Sequence, residues 1–269
     1  MNISPYYESN SKVKKYLKEG RGQGIGKEYI PWTKTYSQEF SSKGRATRTF
    51  GLKTGRTHHL QSDNQYRAFL IFEHCTKVVD IRESYPLLDV MEVIDDKDDL
   101  RFDKFCDKET KEPYVITTNF LLTVKKSEGN EEYVARTIKN SSELKRNITW
   151  EKLEIERRYW LNKKVDWKIV TEKQLSRQLA KNIEWIRETM LSDNEKHSDK
   201  DQLSVLFFRY LMENDHIPLK EVTKKFEKQE SLQRGLGLFL FRYLLAKKEV
   251  VIDLTQSIDF SKSIKDLMV

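Results

Sequence analysis

VITTNFLLTV (115–124), KKSEGNEE (125–132) and YVARTIK (133–139) decide how this chain is read. Two short alternating runs flank a polar turn containing Gly and Asn, which predicts a β-hairpin. The second run ends in Thr137-x-Lys139. The first carries Asn119, a neutral amide where a strand-borne carboxylate would make a ligand for a hard cation. That single difference governs what chemistry the hairpin can support.

Composition narrows the classes. A chain of 269 residues, 38% hydrophobic and 34% charged, builds one or two domains with a strongly solvated surface. No apolar run approaches the roughly 18–20 residues of a membrane span. The N-terminal MNISPYYESNSK lacks a basic region followed by an apolar stretch, so no signal peptide is expected. The two cysteines, Cys75 and Cys106, speak against a disulfide framework or a cysteine-built zinc site and fit a reducing cytoplasm. The net charge of +7 is uneven: residues 1–60 hold 12 Lys/Arg against 4 Asp/Glu, and residues 80–112 hold 12 acids against 6 bases. A cationic first quarter suits a polyanionic partner, with an ordinary solvated face as the plain alternative.

Outward from the hairpin, the pattern alternates helix and strand. NSKVKKYLKEG reads as a short basic helix stopped by Gly20. The glycines of RGQGIGKEYIPW fit neither the phosphate-loop nor the dinucleotide fingerprint, leaving an adaptable basic loop. RATRTFGLKTGRTHHL (45–60) predicts a hairpin around KTGR. SDNQYRAFLIFEH (62–74) predicts a helix capped by Ser62, with Gln65 in its first turn and Tyr66, Phe69, Leu70 and Phe72 inward. KVVDIRESYPLL (77–88) is a strand turning at Pro86, and 95–112 an acidic loop. TWEKLEIERRYWLNKK (149–164) predicts a helix capped by Thr149, with a Glu154–Arg158 pair, before a buried strand at 167–171. This is an α/β arrangement with a mixed sheet. Domains are expected at 1–170 and 171–269. The second reads as helices at about 172–190, 201–213, 218–228 and 230–247 with a strand pair at 249–260, a winged-helix-like α+β pattern able to bind DNA or protein.

Single residues weigh differently. Lys139 alone reads as a surface lysine. His58 and His59, adjacent in a strand, point to opposite faces, one packed and one exposed or DNA-facing. Glu73, Asp80 and Glu83 are possible auxiliary acids, with solvated surface roles as the plainer reading. Candidate DNA contacts in the basic quarter are Arg21, Lys27, Lys53, Arg56 and His58.

A strand acid, a turn and a polar-x-Lys ending is the layout of the PD-(D/E)xK nucleases, in which the acid holds Mg²⁺ and the Lys supports the attacking water. KEGRGQGIGKEYIPW (18–32), KTGRTHHLQSD (53–63), VVDIRESYPLL (78–88) and EKLEIERRYW (151–160), in that order, resemble the TnsA family of transposase endonuclease subunits. The resemblance covers about the first 170 residues in detail and the remainder only in general pattern. It implies a restriction-endonuclease-like domain followed by a winged-helix-like partner-binding domain. It also implies Mg²⁺- or Mn²⁺-dependent cutting at the 5′ ends of a transposon, in the bacterial cytoplasm at the nucleoid. The implied partners are transposon-end DNA, a DDE transposase (TnsB-like) and an AAA+ regulator (TnsC-like). By position, the family's helix Glu falls on Gln65 and its strand Asp on Asn119. The polar-x-Lys pair falls on Thr137 and Lys139, so catalytic roles are implied at these four and metal contacts at Gln65, Asn119 and Ile138. Both metal acids are thus amides of matching shape, the pattern of deliberate inactivation more than of drift. The rival readings are a non-catalytic DNA-binding adaptor and a stand-alone restriction-like nuclease.

Overall fold

In the computed structural model, which describes residues 3–36, 45–127, 129–191 and 199–269, the chain divides into units Met1–Leu175 and Ser176–Val269. The boundary falls a few residues beyond the position expected from sequence. The first unit runs α1 (Pro5–Glu8), α2 (Ser11–Lys18), β1 (Thr47–Gly51), β2 (Arg56–Leu60), α3 (Asp63–His74), β3 (Val78–Pro86) and α4 (Val90–Val93). It continues with β4 (Thr117–Lys125), β5 (Glu131–Lys139), α5 (Asn147–Asn162) and β6 (Asp166–Thr171). β1 and β2 form the separate KTGR hairpin. The main sheet has order β3-β4-β5-β6, antiparallel except that β6 lies parallel to β5. A parallel neighbour needs a crossover, and α5 provides it. The architecture is mixed α/β.

Helix ends follow local chemistry. Asn10 caps α2 by accepting from Val13 N at 3.0 Å, and Ser62 caps α3 by accepting from Gln65 N at 3.2 Å. α5 starts two residues earlier than expected. Thr149 N and Trp150 N already bond to Arg146 O, so Thr149 lies inside the first turn and caps nothing. The Glu154–Arg158 pair forms at 2.8 Å, and Arg158 also meets Asp99 at 2.6 Å. Along α3, Ala68, Phe69 and Leu70 are buried while Tyr66 and Phe72 are only half-buried. β6 is half-buried rather than buried, because as an edge strand it has a single neighbour. The acidic 95–112 segment is anchored by buried Leu100 and Phe102. The Gly-rich loop is packed rather than adaptable: a Cβ on Gly22 would lie 2.4 Å from the Pro86 ring, and one on Gly24 2.4 Å from Glu28 O.

α1, α2 and α5 share one core with the sheet, including Tyr7, Val13, Leu121, Ile155 and Trp160. α3 packs elsewhere on the sheet, with Phe72 and Phe120 edge to face at 5.5 Å.

The second unit holds α6 (Arg177–Arg187), α7 (Lys200–Glu213), α8 (Leu219–Gln229), α9 (Leu236–Lys247) and α10 (Ile264–Leu267) around Phe207, Leu211, Phe226 and Phe241. α6 begins at Arg177, capped by Ser176, and α9 begins only after Ser231 and Gly235, both in the left-handed region. The strand pair expected at 249–260 is not formed among the described residues. Isolated bridges pair Ile252 with Met268 and Pro218 with Ser263 instead. Asp253 accepts from Thr255 N and Asp259 from Ser261 N, local turns that compete with a ladder. The final segment closes its own core: Ile264 is fully buried, and Ile258, Phe260 and Leu267 pack against the same cluster.

Candidate active site

The edge strand β3 and its neighbour β4 leave one position unpaired at the predicted site, without a change of register. β3 pairs Glu83 with Phe120 and Tyr85 with Thr118, skipping Ser84 and Asn119. Ser84 has φ +48°, held by Trp32 N on its carbonyl and Thr33 N on its hydroxyl. Such a conformation in a non-glycine residue is uncommon and marks a constrained point. Along a regular strand, residues two apart share a face. Here Phe120 packs on Phe72 of α3, whereas Thr118 donates to Glu156 of α5 at 3.0 Å. β4 therefore rolls at Asn119.

The roll gives Asn119 a backbone's task. Its Oδ1 accepts from Ile138 N at 2.7 Å, just past the last regular pair, Phe120 with Arg136. Ile138 immediately precedes Lys139, which ends β5 and is half-buried, and whose side chain has no hydrogen-bond or ion-pair partner among the described residues. Asn64 Nδ2 donates to Asn140 Oδ1 at 2.6 Å, tying the first turn of α3 to the residue after Lys139. In that turn Gln65 Oε1 accepts from Gln61 N at 2.9 Å, a helix-capping contact. Each amide oxygen is thus fixed by a backbone N–H, which turns its NH₂ the other way. An NH₂ donor is electrostatically wrong for a cation.

Thr137 is the second member of a brace. Its Oγ1 donates to Glu156 Oε2 at 2.5 Å and accepts from Trp167 Nε1 at 3.0 Å, and the residue is 1% exposed. The hydroxyl expected to serve catalysis is thus engaged on the α5 side. Glu156, which sequence reading did not single out, is 0% exposed and also accepts from Thr118. Its other oxygen lies 3.7 Å from Lys152 Nζ. Burial lowers the Lys152 pKa; Glu156 opposes this and the neighbouring Lys139 charge adds to it. The spacing Lys152-x-x-x-Glu156 was a signal for this pair, but it is common on any helix.

Three of the residues expected to meet DNA are internal. Arg56 makes a two-pronged contact with Glu83 at 2.9 and 2.6 Å and donates to Ile81 O, while His58 Nδ1 lies 2.8 Å from the same carboxylate. Arg21 is buried over the Tyr16 ring and bonds Glu19 and Trp32 O. The Lys53 ammonium bonds Cys75 O and Val78 O after α3. Of the five, only Lys27 stands open, 4.0 Å from Glu28. Both histidines are buried; burial holds His59 below its ordinary pKa, with Glu83 opposing. Glu73, Asp80 and Glu83 are buried too, not solvated: Glu73 accepts from Leu52 N at 2.6 Å, Asp80 pairs with Arg82 at 3.3 Å, and Glu83 holds the cluster above. Burial raises the Glu83 pKa, but His58 and Arg56 outweigh it and hold the carboxyl well below its ordinary value. What the first unit does expose is a basic face of α2, Lys14, Lys15 and Lys18, opposite buried Val13 and Tyr16.

The residues present do not fit a divalent-metal site. Gln65 and Asn119 supply neutral donors, and no cluster of three His, Cys, Asp or Glu able to hold a metal occurs among the described residues. No helix among them is long and apolar enough to cross a membrane.

Comparison with known proteins gives a consistent result. The TnsA-like endonuclease N-terminal family matches residues 75–172, and the TnsA endonuclease C-terminal family matches residues 174–254. The chain is 39% identical over 186 residues to the transposon Tn7 transposition protein TnsA of Escherichia coli, which covers 66% of this chain and 63% of that protein. With both parts of one family matched in order along it, the chain belongs to the TnsA endonuclease family.

Proposed function

We propose that this chain is the DNA-cutting subunit of a heteromeric transposase, in a form that lacks the charge to hold its metal. The observation that carries the reading is the meeting at the end of β5: Asn119 on Ile138 N, unpartnered Lys139 next, and the first turn of α3 tied to Asn140. In the carboxylate form, Glu at 65 and Asp at 119 would supply two anionic ligands in place of two amides, with Ile138 beside them. Bound Mg²⁺ or Mn²⁺ would supply an activated water there. Lys139 would stabilise developing negative charge at the end of β5. The first unit is then a restriction-endonuclease-like domain, with Lys14, Lys15, Lys18 and Lys27 toward transposon-end DNA. The second unit is a winged-helix-like domain for a TnsC-like ATPase, and a TnsB-like transposase joins the opposite strands. The chain acts in the cytoplasm at the nucleoid.

A non-catalytic adaptor is the second reading, favoured by the same two amides. Strand-specific cutting with competent partner proteins separates them. Gln65→Glu with Asn119→Asp is expected to restore 5′-end cutting that the parent chain lacks. Silence of the double variant, with partners active, overturns the nuclease reading.

A further inference from the structure

α5 begins outside the core. Asn147, Ile148 and Trp150 are exposed, and Leu153 is the first buried residue of the helix. The tip thus projects beyond the packed sheet with two large apolar side chains, Ile148 at 44% and Trp150 at 49% exposure. Of the five tryptophans, Trp32 and Trp160 are buried and Trp167 and Trp185 half-buried, so Trp150 alone turns much of its ring to water. The ring is held by one edge: Trp150 Nε1 donates to Leu144 O at 2.5 Å, in the loop after β5. That loop also supplies Lys145 and Arg146, both exposed and with side chains unpaired among the described residues. The nearby acids are engaged elsewhere. Glu143 accepts from Asn140 N, Glu151 meets Lys104, and Glu172 holds Ser141.

We infer that the tip of α5 stacks the base of an unpaired nucleotide in the strand being cut, with Trp150 against the base and Lys145 and Arg146 on the flanking phosphates. This rests on the nuclease reading above. The place follows from the chain. The loop leaves β5 directly at Lys139, and the charges of Lys139 and Glu143 both act on Lys152 of α5. A strand that reaches Lys139 therefore passes this tip. An aromatic face meets a base face only where the base has left the duplex stack, since a paired base offers its edges to the grooves. A tryptophan fixed by one edge, with free cations beside it, suits a single strand: the ring takes the base and the cations take the backbone. A protein occupant fits less well. Protein interfaces deplete charge at their centre, whereas this apolar pair stands among unneutralised cations beside a site that must admit DNA.

The test uses the full parent chain and two duplexes of equal length, one fully paired and one ending in unpaired oligo-dT arms. Affinity is read by anisotropy of a labelled strand, and ring contact by quenching of tryptophan emission. The forked duplex should bind more tightly and quench the parent. Trp150→Ala should weaken forked binding by about 5- to 100-fold, the loss of one stacked base, and leave the paired duplex within about twofold. Trp150→Phe should keep most of the forked affinity and lose the quenching. Lys145→Gln with Arg146→Gln should make the slope of log K against log salt on the forked duplex shallower by about 1–2 units. All variants should melt like the parent, since the three side chains are exposed. Equal forked binding by the parent and Trp150→Ala overturns the inference, as does an equal loss on both duplexes. Unchanged forked binding with lost binding to a partner transposase also overturns it, in favour of a protein-docking tip. The measurement requires no cutting, so its failure is distinct from failure of Gln65→Glu/Asn119→Asp to restore cutting, which bears on the nuclease reading.

Discussion

At the residue scale, Asn119 is a backbone acceptor as much as a site residue. Asn119→Ala leaves Ile138 N without its partner, and the cost should be about 1–3 kcal/mol in a denaturant titration. Asn119→Asp keeps an acceptor there and should melt close to the parent. An equal loss in both variants would contradict that role. Glu83 is the second pivot. Its folded pKa lies below the ordinary 4.5, so its stabilising contribution is fully present above that value. The contribution is lost as pH falls from there toward the depressed folded value, and Glu83→Gln should flatten this acid limb in melting curves taken across pH. The position of both amides was legible from the hairpin pattern and the resemblance. The Arg56–Glu83–His58 cluster was not, because its members lie up to 27 residues apart in sequence and a sequence displays a charge without its partner. For the same reason Arg56 and His58 read as DNA-facing and Glu83 as solvated.

At the scale of elements, α5 is locked to the sheet by Glu156, which receives Thr118 and Thr137 together. Thr137→Val removes a donor to a buried carboxylate and the acceptor of Trp167 Nε1, and should cost about 1–3 kcal/mol by melting. A neutral outcome would mean the brace is not under load. In the second unit, Ile264 is 0% exposed in the shared core. Ile264→Ala should cost about 2–5 kcal/mol, and deletion of 256–269 should unfold the unit rather than merely remove a docking segment. Retained melting with lost ATPase binding would contradict this and make the segment a docking tail. The hairpins, α3, and the strand–helix–strand run to β6 were legible because period two and period 3.6 are strong there. The segment 249–260 misled because Val250, Ile252 and Leu254 alternate like a strand, while Asp253 and Asp259 bend the backbone locally. An amphipathic tail has the same pattern whether it meets a partner or its own core, so a sequence reading favours a docking segment where the side chains close the core.

At the scale of the whole molecule, fold and metal chemistry are separable. The sheet, the brace and the cluster at Glu83 require neither Gln65 nor Asn119 to be charged, and two amides avoid the repulsion of paired carboxylates. The proposed function therefore expects a folded chain of low metal affinity. The most direct measurement is calorimetric titration of Mn²⁺ into the parent chain and into Gln65→Glu/Asn119→Asp, both without DNA. The account predicts no saturable binding to the parent and binding at least about tenfold tighter to the double variant, as two carboxylates offset the cation's charge. Equal Mn²⁺ binding by the two proteins would contradict it.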